Sequence, residues 1–163
     1  MGPLVVIGGN AAGMSAAAAA RRTDDALGIV VLEAGPDASY SACGIPYVLS
    51  GEVDSLDDLV TASPEEFRRS RRIDLRTGSE AVAIDPGSRR VELADGAAVD
   101  YGALVVATGA QPVRPDIPGA RLPGVHVLRD LRTARALDEA LGSRRAPRGD
   151  APRSPAPRRA RAP

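Results

Sequence analysis

The chain contains no tryptophan, one phenylalanine, three tyrosines, one cysteine, one histidine, and no lysine among its 21 basic residues. Each scarcity excludes something. The single cysteine, Cys43, cannot close an intramolecular disulfide. That rules out a disulfide-framed secreted fold and leaves any redox cycle at this sulfur dependent on an external sulfur or a sulfenic acid. His126 has no second histidine with which to share a metal ion, so no metal site is expected. With aromatics at 2%, there is no interleaved platform on which the bases of a single strand would stack, and nucleic acid is not an expected partner. No apolar run reaches the roughly 18 residues of a membrane span, and no charged segment precedes an apolar stretch as in a signal peptide. The cytoplasm is therefore the expected compartment.

What is present is ordinary in bulk and uneven in distribution. The 163 residues are 44% apolar and 26% charged, enough for one globular domain. The net charge is zero, but seven of the 21 arginines fall in residues 142–163 against a single acid, Asp150, which leaves residues 1–141 acidic. The 142–163 segment is built from Arg, Pro, Ala, Ser, Gly and that one Asp. It has no aliphatic side chain larger than alanine, cannot bury enough surface to offset its ordering entropy, and is expected to be disordered. Residues 1–141 are the expected folded domain.

Apolar strands alternate with amphipathic segments in the manner of an α/β fold with a parallel sheet. Pro3 to Ile7 reads as a buried strand, Gly8 to Gly13 as a turn, Met14 to Arg22 as an alanine-rich helix, and Gly28 to Glu33 as a second strand. Ser63-Pro64-Glu65-Glu66 carries an N-cap, a proline at the first helical position and a capping-box carboxylate, which predicts a helix to about Arg72. Ile73 to Arg76 is a third strand, and Ala81 to Asp85 with Arg90 to Leu93 form a small hairpin or meander. Leu104 to Ala107 reads as another buried strand, Val125 to Leu128 as a short one, and Asp130 to Leu141 as a helix. Gly44 to Leu49 can begin a helix directly after Cys43.

The glycine cluster between the first strand and the first helix matches what a Rossmann-type nucleotide site requires. Such a site needs a tight turn, a close backbone approach to a pyrophosphate, and a small residue where helix meets strand. Gly8, Gly9 and Gly13 supply these, with Asn10 at the usual middle glycine position. The phosphates would sit at the positive end of the helix beginning near Ala11 and Ala12. Glu33, twenty residues after Gly13, ends the second strand, where a carboxylate accepts hydrogen bonds from ribose hydroxyls.

Val5 to Ala17, then Glu33, then Ser39-Tyr40-Ser41-Ala42-Cys43-Gly44-Ile45-Pro46-Tyr47, then Ala107-Thr108-Gly109, resemble the flavin domain of the single-cysteine pyridine nucleotide-disulfide oxidoreductases. Within that group the pattern is most similar to coenzyme A disulfide reductase, with NADH oxidase and NADH peroxidase near it. The resemblance covers about residues 3–141 and implies a Rossmann-like FAD-binding domain, incomplete relative to the family. It implies FAD held by Gly8, Gly9, Asn10, Ala11, Ala12, Gly13 and Glu33, with Val82 near the adenine and Thr108 and Gly109 closing over the nucleotide. It makes Cys43 the catalytic thiol, passing electrons from NAD(P)H through FAD to a small-molecule disulfide such as that of coenzyme A, or as a sulfenic acid to oxygen or peroxide. Two-cysteine relatives carry the second cysteine where this chain has Val48. Ser15, Arg22, Ser39 and Arg71 match substrate-binding positions, while Ala19 and Ala42 stand where polar residues are usual.

Family members continue past the helix at Asp130 to Leu141 into a nicotinamide-binding unit, a returning flavin segment and a dimerisation domain. None of these occurs in the 163 residues. The resemblance thus implies a truncated member, inactive alone, of a family that is typically homodimeric. A nucleotide-binding fragment without turnover is the other reading left open.

Overall fold

The computed structural model describes residues 2–142; of the segment expected to be disordered, Gly142 ends the last helix and residues 143–163 lie outside the described residues. In chain order the elements are β1 (Leu4–Ile7), α1 (Ala11–Thr23), β2 (Ile29–Leu32), α2 (Ile45–Ser50), α3 (Pro64–Arg71), β3 (Asp74–Arg76), β4 (Ala81–Asp85), β5 (Arg90–Leu93), β6 (Ala98–Asp100), β7 (Ala103–Val106) and α4 (Leu131–Gly142). Single turns of 3-10 helix lie at Ala42–Gly44 and Asp57–Leu59.

Four strands form a parallel sheet in the order β3-β2-β1-β7, with Val6 opposite Val31 on one side and Val105 on the other. Of its two inner strands, β1 is buried along its whole length on both faces, as its unbroken Leu-Val-Val-Ile run requires. Because side chains alternate across a strand, Leu4, Val6, Val31 and Leu75 face one layer, where Met14 and Ala17 of α1 and Phe67 of α3 pack on them. Val5, Ile7 and Leu32 face the other, where they meet Val91 and Leu93 of the antiparallel meander β4-β5-β6. A third cluster joins Ile45 and Val48 of α2 to Leu56, Leu59, Leu131 and Ala134 of α4. No helix among the described residues is long and apolar enough to cross a membrane.

Several expectations are corrected. The first helix, read from its composition as Met14 to Arg22, starts at Ala11, where the nucleotide-site reading of the glycine turn puts it: Asn10 takes the N-cap position and its carbonyl accepts the Met14 N–H at 2.9 Å. Val125 to Leu128 is not a strand: it lies outside both sheets, and Val125 and Leu128 are exposed. The hairpin gains a third strand, β6, short and visible only through its pairing of Val99 with Val91. β7 is not a buried strand but an edge, with Val106 60% exposed.

Candidate functional site

The glycine turn is built against two backbones. Gly8 has φ +108, and a Cβ there would overlap the carbonyl oxygen of Ala107 at the end of β7. Gly13, buried in the first turn of α1, leaves no room for a Cβ beside the carbonyl of Gly8. The helix therefore rests directly on the turn, with its N-terminus over the carboxyl ends of β1 and β7. That end is open. Asn10 caps it in an extended conformation without a side-chain cap bond, so the early N–H groups of Ala11, Ala12 and Gly13 are not capped by a side chain, and Ala11 and Ala12 are exposed. The Asn10 Oδ1 is buried with no hydrogen-bond partner among the described residues. The uncapped helix amides fit a site completed by an anionic group, while the Asn10 Oδ1, an acceptor, is left for a donor such as a hydroxyl.

Glu33 follows β2 and reaches back to the turn. Its Oε2 accepts the Gly9 N–H at 2.7 Å and its Oε1 the Gly35 N–H at 2.9 Å. Each oxygen keeps a second lone pair, so the carboxylate can set the shape of the turn and still accept from a pair of vicinal hydroxyls. Thr108 and Gly109 follow β7; the Thr108 nitrogen lies 3.3 Å from where a Gly8 Cβ would be, and Gly109 has φ +73. Val82 lies on β4, 58% exposed. Its sheet is tied to this corner by the Ser79 N–H, which donates to the Glu33 carbonyl at 2.8 Å.

One residue that sequence reasoning missed stands at the same place. Arg129, just ahead of α4, donates from Nε to the Ala110 carbonyl at 2.8 Å, and its Nη2 lies 2.7 Å from where a Gly109 Cβ would be. The only sequence signal was an exposed basic residue next to a helix N-cap, which is too common to single out. Its charge is felt by Tyr40, whose hydroxyl is pushed above its ordinary pKa first by burial and then by Asp130, with Arg129 opposing.

The thiol loop hangs from this turn. Ser39 takes a left-handed backbone, φ +51, and its N–H donates to the Gly9 carbonyl at 2.8 Å. From the other side its carbonyl accepts the Thr61 N–H at 2.9 Å and the Thr61 hydroxyl at 2.6 Å. Cys43 is exposed in the 3-10 turn, its Sγ 3.4 Å from the Ser41 Oγ. The predicted helix behind it begins at Ile45, whose side chain is buried with that of Val48, so apolar packing rather than a second sulfur occupies the position of the family's partner cysteine.

The four substrate positions divide. Arg22 and Arg71 converge on one cavity of about 390 Å³, together with Ala18, Arg21, Asp25 and Ser70. Ser15 is exposed two turns up α1 on the face that carries Arg22. Ser39 belongs to the thiol loop, and neither it nor Cys43 lines that cavity. The described residues contain no cluster of three or more metal-ligating side chains.

Comparison with known proteins agrees with this geometry. Residues 2–147 match the family described as pyridine nucleotide-disulphide oxidoreductase. The chain is 34% identical over 137 residues to an NADH oxidase of Methanocaldococcus jannaschii, covering 82% of this chain and 31% of that protein. It is 41% identical over 123 residues to a CoA-dependent NAD(P)H sulfur oxidoreductase of Pyrococcus abyssi, covering 75% of this chain and 27% of that one. A solved NAD-dependent persulfide reductase from A. fulgidus superposes with a TM-score of 0.81 at 36% identity, covering 86% of this chain and 27% of its own. The chain thus spans less than a third of the length of each of these relatives.

Proposed function

Because this chain belongs to the pyridine nucleotide-disulphide oxidoreductases, a family of flavin- and NAD(P)H-dependent enzymes, we propose that it carries the flavin seat and redox thiol of a reductase acting on coenzyme A-linked disulfide or persulfide sulfur. The observation that carries this reading is the bond from the Ser39 N–H to the Gly9 carbonyl, which hangs the cysteine loop from the dinucleotide turn itself. Gly8 and Gly9, whose N–H groups are taken by the Leu32 carbonyl and by Glu33, let the turn approach a pyrophosphate closely, Asn10, Ala11, Ala12 and Gly13 present backbone N–H groups to it, Arg129 adds a positive charge, and Glu33 accepts from ribose hydroxyls. Val82 borders the adenine, and Thr108 and Gly109 close the seat beside Gly8. Bound there, FAD would supply a two-electron carrier between a nicotinamide and a sulfur.

Cys43 is the residue that meets substrate. Its thiolate attacks one sulfur of a disulfide, forming a mixed disulfide and releasing the other sulfur as a thiolate. With no second cysteine in the sequence, the mixed disulfide cannot be resolved internally, and two electrons must come from outside the pair. Ser15, Arg22, Ser39 and Arg71 hold the substrate, the two arginines through its phosphates. The CoA-dependent sulfur oxidoreductases and the persulfide reductase among the relatives support this substrate class. The relative named NADH oxidase favours a second reading, in which the Cys43 thiolate attacks a peroxide oxygen, becoming a sulfenic acid as the other oxygen leaves.

Intact mass after incubation with coenzyme A disulfide tests the first reading. The expected result is a gain of one coenzyme A, removed by a thiol reductant and absent in Cys43→Ser. Equal labelling by cystine and coenzyme A disulfide at matched concentration would sink the substrate assignment, and sulfenic acid formation with peroxide but no coenzyme A adduct would favour the second.

A further inference from the structure

The cavity between the carboxyl ends of α1 and α3 is lined by four arginines, and they do not do the same thing. Arg21 is consumed by backbone: its Nε donates to the Arg71 carbonyl at 3.1 Å, Nη2 to the Arg72 carbonyl at 2.8 Å, and Nη1 to the carbonyls of Asp24 and Asp25 at 3.2 and 2.7 Å. Four of its five N–H donors are then used on neutral acceptors. Arg72, in a left-handed conformation at the end of α3, is paired with Asp25. Arg22 is exposed, and its side chain makes no hydrogen bond or ion pair among the described residues. Arg71 lies with its guanidinium carbon 5.1 Å from the centre of the Phe67 ring and makes no ion pair among the described residues. Two cations are thus tied down, and two are left to a ligand.

The tied arginine connects the free ones. Arg21 is the chain neighbour of Arg22, and the carbonyl it takes at 3.1 Å is that of Arg71 itself, 50 residues away. Its hydrogen bonds therefore fix the backbone of one free cation relative to the other across two helices, and at the same time satisfy carbonyls that α3 leaves unpaired at its end. We propose that Arg21 is the positioning residue of this cavity, holding Arg22 and Arg71 at the separation needed for the phosphates of a nucleotide-bearing substrate without itself binding them. The proposal rests on the reading that Arg22 and Arg71 bind substrate phosphates. Lysine at position 21 would keep the charge, but its three donors radiate from one nitrogen and cannot span carbonyls on two chain segments.

Calorimetric titration of the full 163-residue chain with adenosine 3′,5′-bisphosphate, with the melting temperature of each variant measured in parallel, tests this. The expected result is that wild type binds, Arg22→Ala weakens binding, and Arg21→Lys weakens it by roughly tenfold, the equivalent of one or two lost hydrogen bonds, at an unchanged melting temperature. Wild-type affinity in Arg21→Lys alongside a weakened Arg22→Ala overturns the positioning role alone. Failure of the wild-type chain to bind, or of Arg22→Ala to weaken binding, overturns the phosphate reading and this proposal together. An Arg21→Lys chain that fails to fold, or loses affinity only as its melting temperature falls, assigns Arg21 to general stability and overturns the proposal.

Discussion

At the scale of single residues, the tightest constraint lies at Gly13. A methyl group there meets the Gly8 carbonyl, and both partners are backbone, so neither helix nor turn can yield without moving the other. Gly13→Ala is expected to destabilise the chain by about 1 to 3 kcal/mol, the usual range for overpacking, read as a lower midpoint in urea unfolding. Thr61 makes a different contribution. Its hydroxyl donates to the Ser39 carbonyl and lies 2.7 Å from the Ser39 Oγ, bracing a non-glycine residue in the left-handed region. Replacing it by valine removes that brace while keeping its shape. The same measurement should then show a loss of about 0.5 to 1.5 kcal/mol, and no change would mean that the two backbone bonds, to the Gly9 carbonyl and from the residue-61 N–H, hold Ser39 without the hydroxyl.

At the scale of elements, helix ends were the most legible features. Ser63 accepts the Glu66 N–H at 3.2 Å, as the Ser-Pro-Glu-Glu string implied, because an N-cap is decided within four consecutive residues. Asp130 and Thr133 do the same for α4 reciprocally: Asp130 Oδ1 accepts the Thr133 N–H at 2.8 Å, and Thr133 Oγ1 accepts the Asp130 N–H at 3.0 Å. Burial alone would raise the Asp130 carboxyl. The Thr133 N–H and hydroxyl, with the charges of Arg132 and Arg129, outweigh it and hold the pKa below its ordinary value. A folded-state pKa below the unfolded one means stability that is complete above about pH 4 and lost as pH falls through the folded value. Asp130→Asn keeps a good capping side chain and removes the titration, so its stability should fall less steeply below about pH 4 than that of wild type. Parallel acid limbs for the two chains would contradict this. Strand assignments were less legible where pairing decides them. Val125 to Leu128 has strand composition but no partner, whereas β6 has little composition to mark it and exists because β5 offers an edge.

At the scale of the whole molecule, the parallel sheet leaves β7 unpaired on its outer side among the described residues. Val106 at 60% exposed belongs to that strand, and Val113 and Ile117 follow it at 89% and 60%. An apolar edge strand invites pairing with another chain. The 163-residue chain alone is expected to self-associate with rising concentration in sedimentation velocity, and Val106→Lys to reduce it; a concentration-independent monomer would refute this.

Neighbouring residues alone specify the first strand, the glycine turn and the helix after it, the place of Glu33 at the end of the second strand, the helix caps, and a thiol without a second cysteine. Backbone conformation is set over a few residues by sterics and local hydrogen bonds, so these features are written where they occur. That Arg129 stands beside Gly109, that Ser39 is braced from Gly9 and Thr61, and that Arg21 reaches across to Arg71 is settled by long-range packing. Each of these depends on how a helix or loop seats on the sheet. That seating follows from packing Met14, Ala17, Phe67 and Leu131 among residues far away in the chain, and no local pattern contains it.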